Sequence, residues 1–431
     1  MTAEVGIFNK SNIVLAADSA VTIGQVNKVF NTANKIFQLA YNAPVGIMIY
    51  NNASWMGIPL EIIIKQYSKF LSDKKYDELE EYVTDFLKFL KDNFYNFIST
   101  EQVEEFVEMR LYFMLDAIAD MLNENFETNI SKLKKEGKKV DENLSNELYE
   151  EIFYEIIDAI SSIKSEEKLA EFKDYKLEEF KTDYKTIINK ILPGFYSTVR
   201  IKRKGKYTSR IVKALYQELI YPFSEDEDYS GLVIAGYGEN EIFPVVFEIK
   251  LGELISGRLR YQADTKKEIS QNNTALVKPF AQRDMVDTFF SGINPSIKEK
   301  YEQTISYEFN DIMKKLSVKY DKISKKEIES FFKTAFNHIV KTIDEFQFKE
   351  FISPTISSVE YLSKEDLIEL AESLVHITSI KRKTSEKLQS VGGPIDIALI
   401  TKAEGFLWIK RKDVVNKKIN TMFHGKELRG Q

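Results

Sequence analysis

The sequence predicts an α+β protein, and three observations carry that prediction. Short apolar runs bounded by turn residues stand at both ends of the chain and again in its middle. Long charged segments lie between them, with apolar residues recurring at three and four. The resulting order of strands, helices, strands, helices, strands lets strands from both ends share one sheet system, with helices packed outside it.

Val5–Phe8 and Ile13–Ala17 are apolar and are separated by the polar turn Asn9-Lys10-Ser11-Asn12, a hairpin pattern. Ala33–Ala40 and Pro44–Tyr50 read as a second pair, with Tyr41-Asn42 near the turn. Segments near 60–75, 76–100, 101–136, 141–165 and 169–192 read as amphipathic helices. In one of them Leu79, Tyr82, Val83, Phe86, Leu87, Leu90 and Phe94 form a single stripe, whose ordinary use is packing between helices. Strand character returns at Leu232–Ala235 and Ile242–Leu251, around Gly236-Tyr237-Gly238, and continues at Gly257–Tyr261. Helices are expected near 296–318 and 324–347. Another should start at Ser363, an N-cap before Lys364-Glu365-Asp366, and run to about Ser385. Ile395–Thr401 and Phe406–Lys410 close the chain as a strand pair, before a polar tail beyond Val415.

The bulk numbers narrow the function classes. At 431 residues the chain exceeds one ordinary domain, so two or three domains, or one with large insertions, are expected. A net charge of −6 argues against a general nucleic-acid binder. With no cysteine, disulfides, thiolate metal sites and cysteine nucleophiles are excluded. Three histidines, His338, His376 and His424, argue against a histidine-rich metal site, and no metal or nucleotide motif stands out, so no cofactor is expected. The opening MTAEVGIFNK lacks a signal-peptide pattern, and no apolar run approaches the roughly 18 residues of a membrane span; the expectation is a cytoplasmic protein with no membrane contact.

Thr2, Val5-Gly6-Ile7, Val14-Leu15-Ala16-Ala17-Asp18-Ser19, Val21-Thr22 and Lys35-Ile36-Phe37-Gln38-Leu39 follow one another in a set order. In that order they resemble the start of the proteasome β-subunit and of its bacterial relative, the HslV peptidase. Further along, Gly231–Lys250 resembles the family's central hairpin, and Gly392-Gly393-Pro394-Ile395-Asp396-Ile397-Ala398-Leu399-Ile400 its closing strand. The resemblance implies an N-terminal nucleophile (Ntn) fold: a four-layer αββα sandwich of two antiparallel sheets. It also implies a discontinuous core over 1–65, 229–293 and 364–415. That core would carry a helical insertion at 66–228, a second helical extension at 294–363 and a polar tail at 416–431. Because family members form rings, it implies a homo-oligomer as well. The insertions would serve as a lid, a gate or a contact for a protein partner.

The resemblance further implies a threonine-type hydrolase acting on a peptide or amide substrate, with Thr2, Asp18 and Lys35 as its catalytic residues. A threonine hydroxyl is a weak nucleophile that needs a base within reach, and at an N-terminus its own α-amine can serve. Removal of Met1 would free that amine, whose ordinary pKa is about 7.7–8.0. The Lys35 ammonium would disfavour charge on the amine, and Asp18 would hold Lys35 in place.

Some family features have no counterpart. No serine between glycines stands near Pro279-Phe280-Ala281-Gln282-Arg283-Asp284, and Leu388-Gln389-Ser390-Val391 lacks the family's aspartate before Gly392. Gly46 is out of register with the oxyanion-hole glycine, where Met48 or Ile49 aligns instead. These departures favour a rival reading, a catalytically silent scaffold or sensor whose helices bind a partner. A third reading rests on the basic cluster Arg200, Lys202, Arg203, Lys204, Lys206 and Arg210, which reads as a solvated loop or hairpin tip or as a nucleic-acid contact.

Overall fold

The first hairpin is set by a side chain. Asn9 Oδ1 accepts the backbone N–H groups of Ser11, at 3.1 Å, and Asn12, at 3.0 Å, which turns the chain between β1 (Glu4–Asn9) and β2 (Asn12–Asp18). The computed structural model describes residues 3–23, 28–30, 33–162, 168–201, 204–224, 227–264, 266–319, 325–384 and 392–412. A small ribbon of β3 (Val21–Ile23) and β4 (Lys28–Phe30) follows, then β5 (Ile36–Gln38) and β6 (Val45–Asn51). A second ribbon, β7 (Ser54–Trp55) and β8 (Ile58–Pro59), leads into the helices.

Among the described residues, helices come next: α1 (Leu60–Leu71), α2 (Leu79–Asn93), α3 (Thr100–Lys135), α4 (Glu142–Ser161), α5 (Leu177–Asp183), α6 (Lys185–Thr198) and α7 (Lys204–Ile220). Strands resume with β9 (Ser230–Gly236), β10 (Val245–Ile255), β11 (Arg258–Ala263), β12 (Lys267–Glu268) and β13 (Ala275–Ala281). Helices α8 (Asp284–Ser291), α9 (Pro295–Lys319), α10 (Lys325–Gln347), α11 (Ser353–Tyr361) and α12 (Lys364–Lys383) precede the closing pair β14 (Ile395–Thr401) and β15 (Gly405–Lys410).

The molecule is an α+β protein with two main antiparallel sheets. One has the strand order β13-β1-β2-β14-β15, and the other β11-β10-β9-β6-β5. Strands from the two ends of the chain therefore lie side by side, with Asp18 opposite Ile395 and Asn12 opposite Thr401. Period-two alternation gives each sheet two apolar faces. Phe8, Ile13 and Leu15 of the first sheet meet Met48, Val233 and Val246 of the second. The outer residues Val5, Ile7, Val14 and Ala16 pack on Leu367, Ala371 and Leu374 of α12. Ile47, Leu232 and Ile249 likewise pack on Ile63, Ile64 and Phe86 of α1 and α2. Helices α3 to α7 enclose a core of their own around Leu111, Phe153, Phe180, Phe195 and Leu215, joined to β10 through Ile255.

Several elements differ from the sequence expectation. The stretch 169–192 is not one helix: a short 3-10 turn at Ala170–Phe172 precedes α5, and the chain breaks at Tyr184 before α6. Helix α6 then carries Pro193 in its interior and runs on to Thr198. Residues 204–210 are not a loop or hairpin tip but the opening turns of α7. Strand β10 begins at Val245 rather than Ile242, because Pro244 has no N–H to give to a ladder. Strand β13, unexpected from the sequence, occupies the edge of its sheet, where Pro279 is tolerated. Beyond α10 the chain stays helical through a π turn at Phe348–Ile352 and then α11. Ser363 caps α12 as expected, its hydroxyl accepting the N–H of Asp366 at 3.2 Å. No helix among the described residues is long and apolar enough to cross a membrane.

Candidate active site

The site is built where β1 begins and β2 ends. The ladder of the first hairpin continues one step past its strands: Asp18 N–H donates to the Ala3 carbonyl at 3.1 Å, and Ala3 N–H donates to Asp18 Oδ1 at 3.0 Å. The same Oδ1 receives Lys35 Nζ at 2.6 Å, while Oδ2 accepts the Gly392 N–H at 2.7 Å. Asp18 thus ties together the chain start, the segment before β5 and the turn before β14. Both side chains are shut away from water, Asp18 at 1% exposure and Lys35 at 3%. Lys35 is fixed through its backbone too, since its carbonyl accepts the Ile49 N–H of β6 at 2.8 Å.

Of the three residues singled out in the sequence, the structure brings Asp18 and Lys35 together. Thr2 lies outside the described residues, as does Met1. Ser390 and the rest of Leu388–Val391 also lie outside them, as do His424 and the tail. The Ile49 N–H is committed to Lys35. Gly46 serves packing: a Cβ there would come within 2.8 Å of Ile400 and 3.0 Å of Phe406, side chains of the facing sheet.

The sequence reading missed two groups. Glu4 has no exposed side-chain surface, and its Oε1 stands 3.0 Å from Lys35 Nζ, so that two carboxylates contact the one ammonium. Its only signal in the sequence was a carboxylate opening an otherwise apolar strand. Lys412, just past β15, pairs with Asp396 and donates to the Ala33 carbonyl at 2.6 Å and to Ser19 Oγ at 3.0 Å. Ser19 in turn donates to the Pro394 carbonyl at 2.7 Å. This second buried pair binds the segments that carry Asp18 and Lys35 to β14. With its proton on Pro394 and the Lys412 ammonium donating to three oxygens, Ser19 Oγ among them, Ser19 is part of a brace rather than a nucleophile–base pair.

The described cations of the basic cluster lie near aromatic rings of the chain while remaining at its surface. Arg200 lies over Phe126 and Tyr149, Lys204 over Tyr196, Lys206 over Tyr207, and Arg210 over Tyr154 at 4.6 Å. Lys202 and Arg203 lie outside the described residues. Among the described residues no group of three or more histidines and acids is placed to hold a metal ion.

No known family model matches the chain, and no curated protein matches it significantly. Among solved structures, an Anbu (Gly-1) mutant from Hyphomicrobium sp. strain MC1 is similar over 100% of this chain and 96% of its own, at 9% identity and a TM-score of 0.26. A likeness that faint supports no assignment of family, residue or activity.

Proposed function

We propose that the chain is a threonine-type N-terminal nucleophile hydrolase, a peptidase or amidohydrolase that works by acyl transfer to Thr2 once Met1 is removed. One observation carries the reading. The buried Lys35–Asp18 pair is hydrogen-bonded to the backbone N–H of Ala3, the residue covalently next to Thr2. Two antiparallel sheets with helices on both outer faces suit the αββα sandwich of that class. In this reading residues 66–228 and 294–363 are helical additions to a discontinuous core.

The chemistry needs no external cofactor. The Thr2 α-amine takes the proton from Thr2 Oγ as Oγ bonds to the substrate carbonyl carbon. The carbon–nitrogen bond then breaks, and the leaving amine departs with that proton. Water, deprotonated by the same amine, attacks the ester, releases the acid and restores the hydroxyl. Lys35 disfavours the ammonium form of the base, and Asp18 holds Lys35.

The test is mass spectrometry of the intact protein treated with an epoxyketone or a β-lactone. A single adduct on the N-terminal peptide is expected. It should be absent in Thr2→Ala, and Asp18→Asn and Lys35→Ala should slow it at least about 100-fold. A retained Met1, or a free Thr2 that stays unmodified, rejects the enzyme. A second reading, a silent scaffold that docks a partner, is favoured by the wide exposure of Tyr307, Phe331 and Tyr361 on the later helices.

A further inference from the structure

Helices α9 and α10 meet along a row that includes Phe309 and Phe332, whose ring centroids are 5.1 Å apart. At the base of this hairpin Lys298 pairs with Asp344 and donates to Gln347 Oε1 at 3.0 Å. Contacts of 309 with 332 and of 298 with 344 make the two helices antiparallel. Gln347 Nε2 donates to the Ser291 carbonyl of α8 at 3.0 Å, so that side of the hairpin is turned to the body. At about 100° per residue, Ile297, Tyr301 and Ile312 fall on the other side of the contact row of α9. Phe331 and Phe346 fall on the matching side of α10, and in an antiparallel pair these five share one face. They stand between 41% and 70% exposed, so the face is open along its length.

We propose that the chain dimerises through this face, two hairpins completing an antiparallel four-helix bundle. A lone pair of helices encloses no core, and a second pair laid across it does. The size fits a second copy. Helices of 25 and 23 residues give a face of roughly 35 by 20 Å. That is on the order of 700 Å², close to the roughly 800 Å² each partner gives a standard interface. The charge fits as well. Helices α9 and α10 carry nine lysines against eight acids, so copies meet without strong repulsion and a highly charged partner gains no advantage. The pattern is self-complementary. Ile297, Tyr301 and Phe346 lie toward the base, and Ile312 and Phe331 toward the tip. A twofold axis that reverses one hairpin on the other sets base against tip twice, as an isologous contact requires. Nothing in this contact depends on Thr2.

Sedimentation velocity of the full chain from about 1 to 100 μM tests the dimer, a range in which weak interfaces of standard size form. Association is expected. Phe331→Glu and, separately, Tyr301→Glu should weaken it at least about 100-fold, since each sets a carboxylate against apolar side chains. Both positions are exposed in the monomer, so the variants should fold, which circular dichroism checks. Tyr307→Glu, as exposed as Phe331 but on the far side of α9, should leave the dimer intact. Because the chain has no cysteine, introduced ones report orientation. Mixed copies of Tyr301→Cys and Phe331→Cys should form a disulfide with each other faster than either does with itself. A chain that stays monomeric over the whole range overturns the proposal and leaves the face to another partner. A dimer untouched by both glutamates, equal loss with Tyr307→Glu, or preferential self-linking of Tyr301→Cys also overturns it.

Discussion

At the residue scale, the site rests on contacts between buried charges, Asp18 with Lys35 at 2.6 Å and Asp396 with Lys412. The segments that carry Asp18 and Lys35 were legible through their resemblance to the start of the proteasome β-subunit. Glu4 and Lys412 were not legible. A single acid at a strand start ordinarily faces water, and a lysine in a polar C-terminal stretch ordinarily extends into solvent. Their roles come from contacts across the fold, Glu4 with the segment before β5 and Lys412 with the end of β2. The brace at Lys412 makes a clear prediction. Lys412→Met leaves the buried Asp396 carboxylate without its cation and should cost on the order of 3–5 kcal/mol. The lost stability is read from the midpoint of urea unfolding. Lys412→Met combined with Asp396→Asn should recover part of the loss, since no unpaired charge then remains buried. Equal destabilisation in the single and double variants would show that the pair acts through shape alone.

At the element scale, strands with alternating or wholly apolar runs and a clean turn were readable, as were helices with an uninterrupted stripe. Helix α7 was hidden because Lys204, Gly205 and Lys206 at its start mask the row Tyr207, Ile211, Leu215 and Leu219, spaced four apart and buried. Strand β13 was hidden by Lys278 and Pro279, which only an edge position accommodates. What secures α7 was also invisible. Arg260 of β11, fully buried, donates to the Leu219 carbonyl at 2.8 Å, Glu218 at 3.2 Å and Tyr221 at 3.3 Å, and pairs with Glu227. It thereby satisfies the carbonyls that a helix end leaves open. Arg260→Met should cost about 3 kcal/mol, the low end for a broken buried pair, because Arg110 still contacts Glu227. Hydrogen exchange should quicken first in the last turn of α7 and in β11. Ser363→Ala, which removes only an exposed N-cap, should cost about 1 kcal/mol and leave exchange elsewhere unchanged.

At the scale of the whole molecule, the two helical regions look alike in sequence, since both repeat apolar residues at three and four. They differ in whether those stripes meet anything. Helices α3 to α7 enclose a core in which Leu111, Phe153, Phe180 and Leu215 are sealed from water. The hairpin of α9 and α10 instead leaves Ile297, Tyr301, Tyr307, Phe331 and Phe346 open, and Ile328 and Gln347 are its buried side chains among those described. Periodicity reports the face a helix could bury, not the face it does bury, so the contrast had to come from the fold. It also sets where the chain opens first, because local stability follows buried apolar contact. Brief trypsin treatment of the native protein should cut within residues 295–347 well before it cuts within α3 to α7. The nicked protein should stay assembled, because its sheets draw on β1, β2, β9, β10, β13 and β14, none of which is severed. Its melting temperature should fall by less than about 4 °C, the most that roughly 1 kcal/mol produces in a chain of about 150–250 residues and more than it produces in this longer one. Peptide mapping locates the cut, and calorimetry of the nicked product gives the shift. First cleavage in α3 to α7, or loss of the cooperative transition after cleavage in the hairpin, would mean that α9 and α10 hold the sheets together rather than standing beside them.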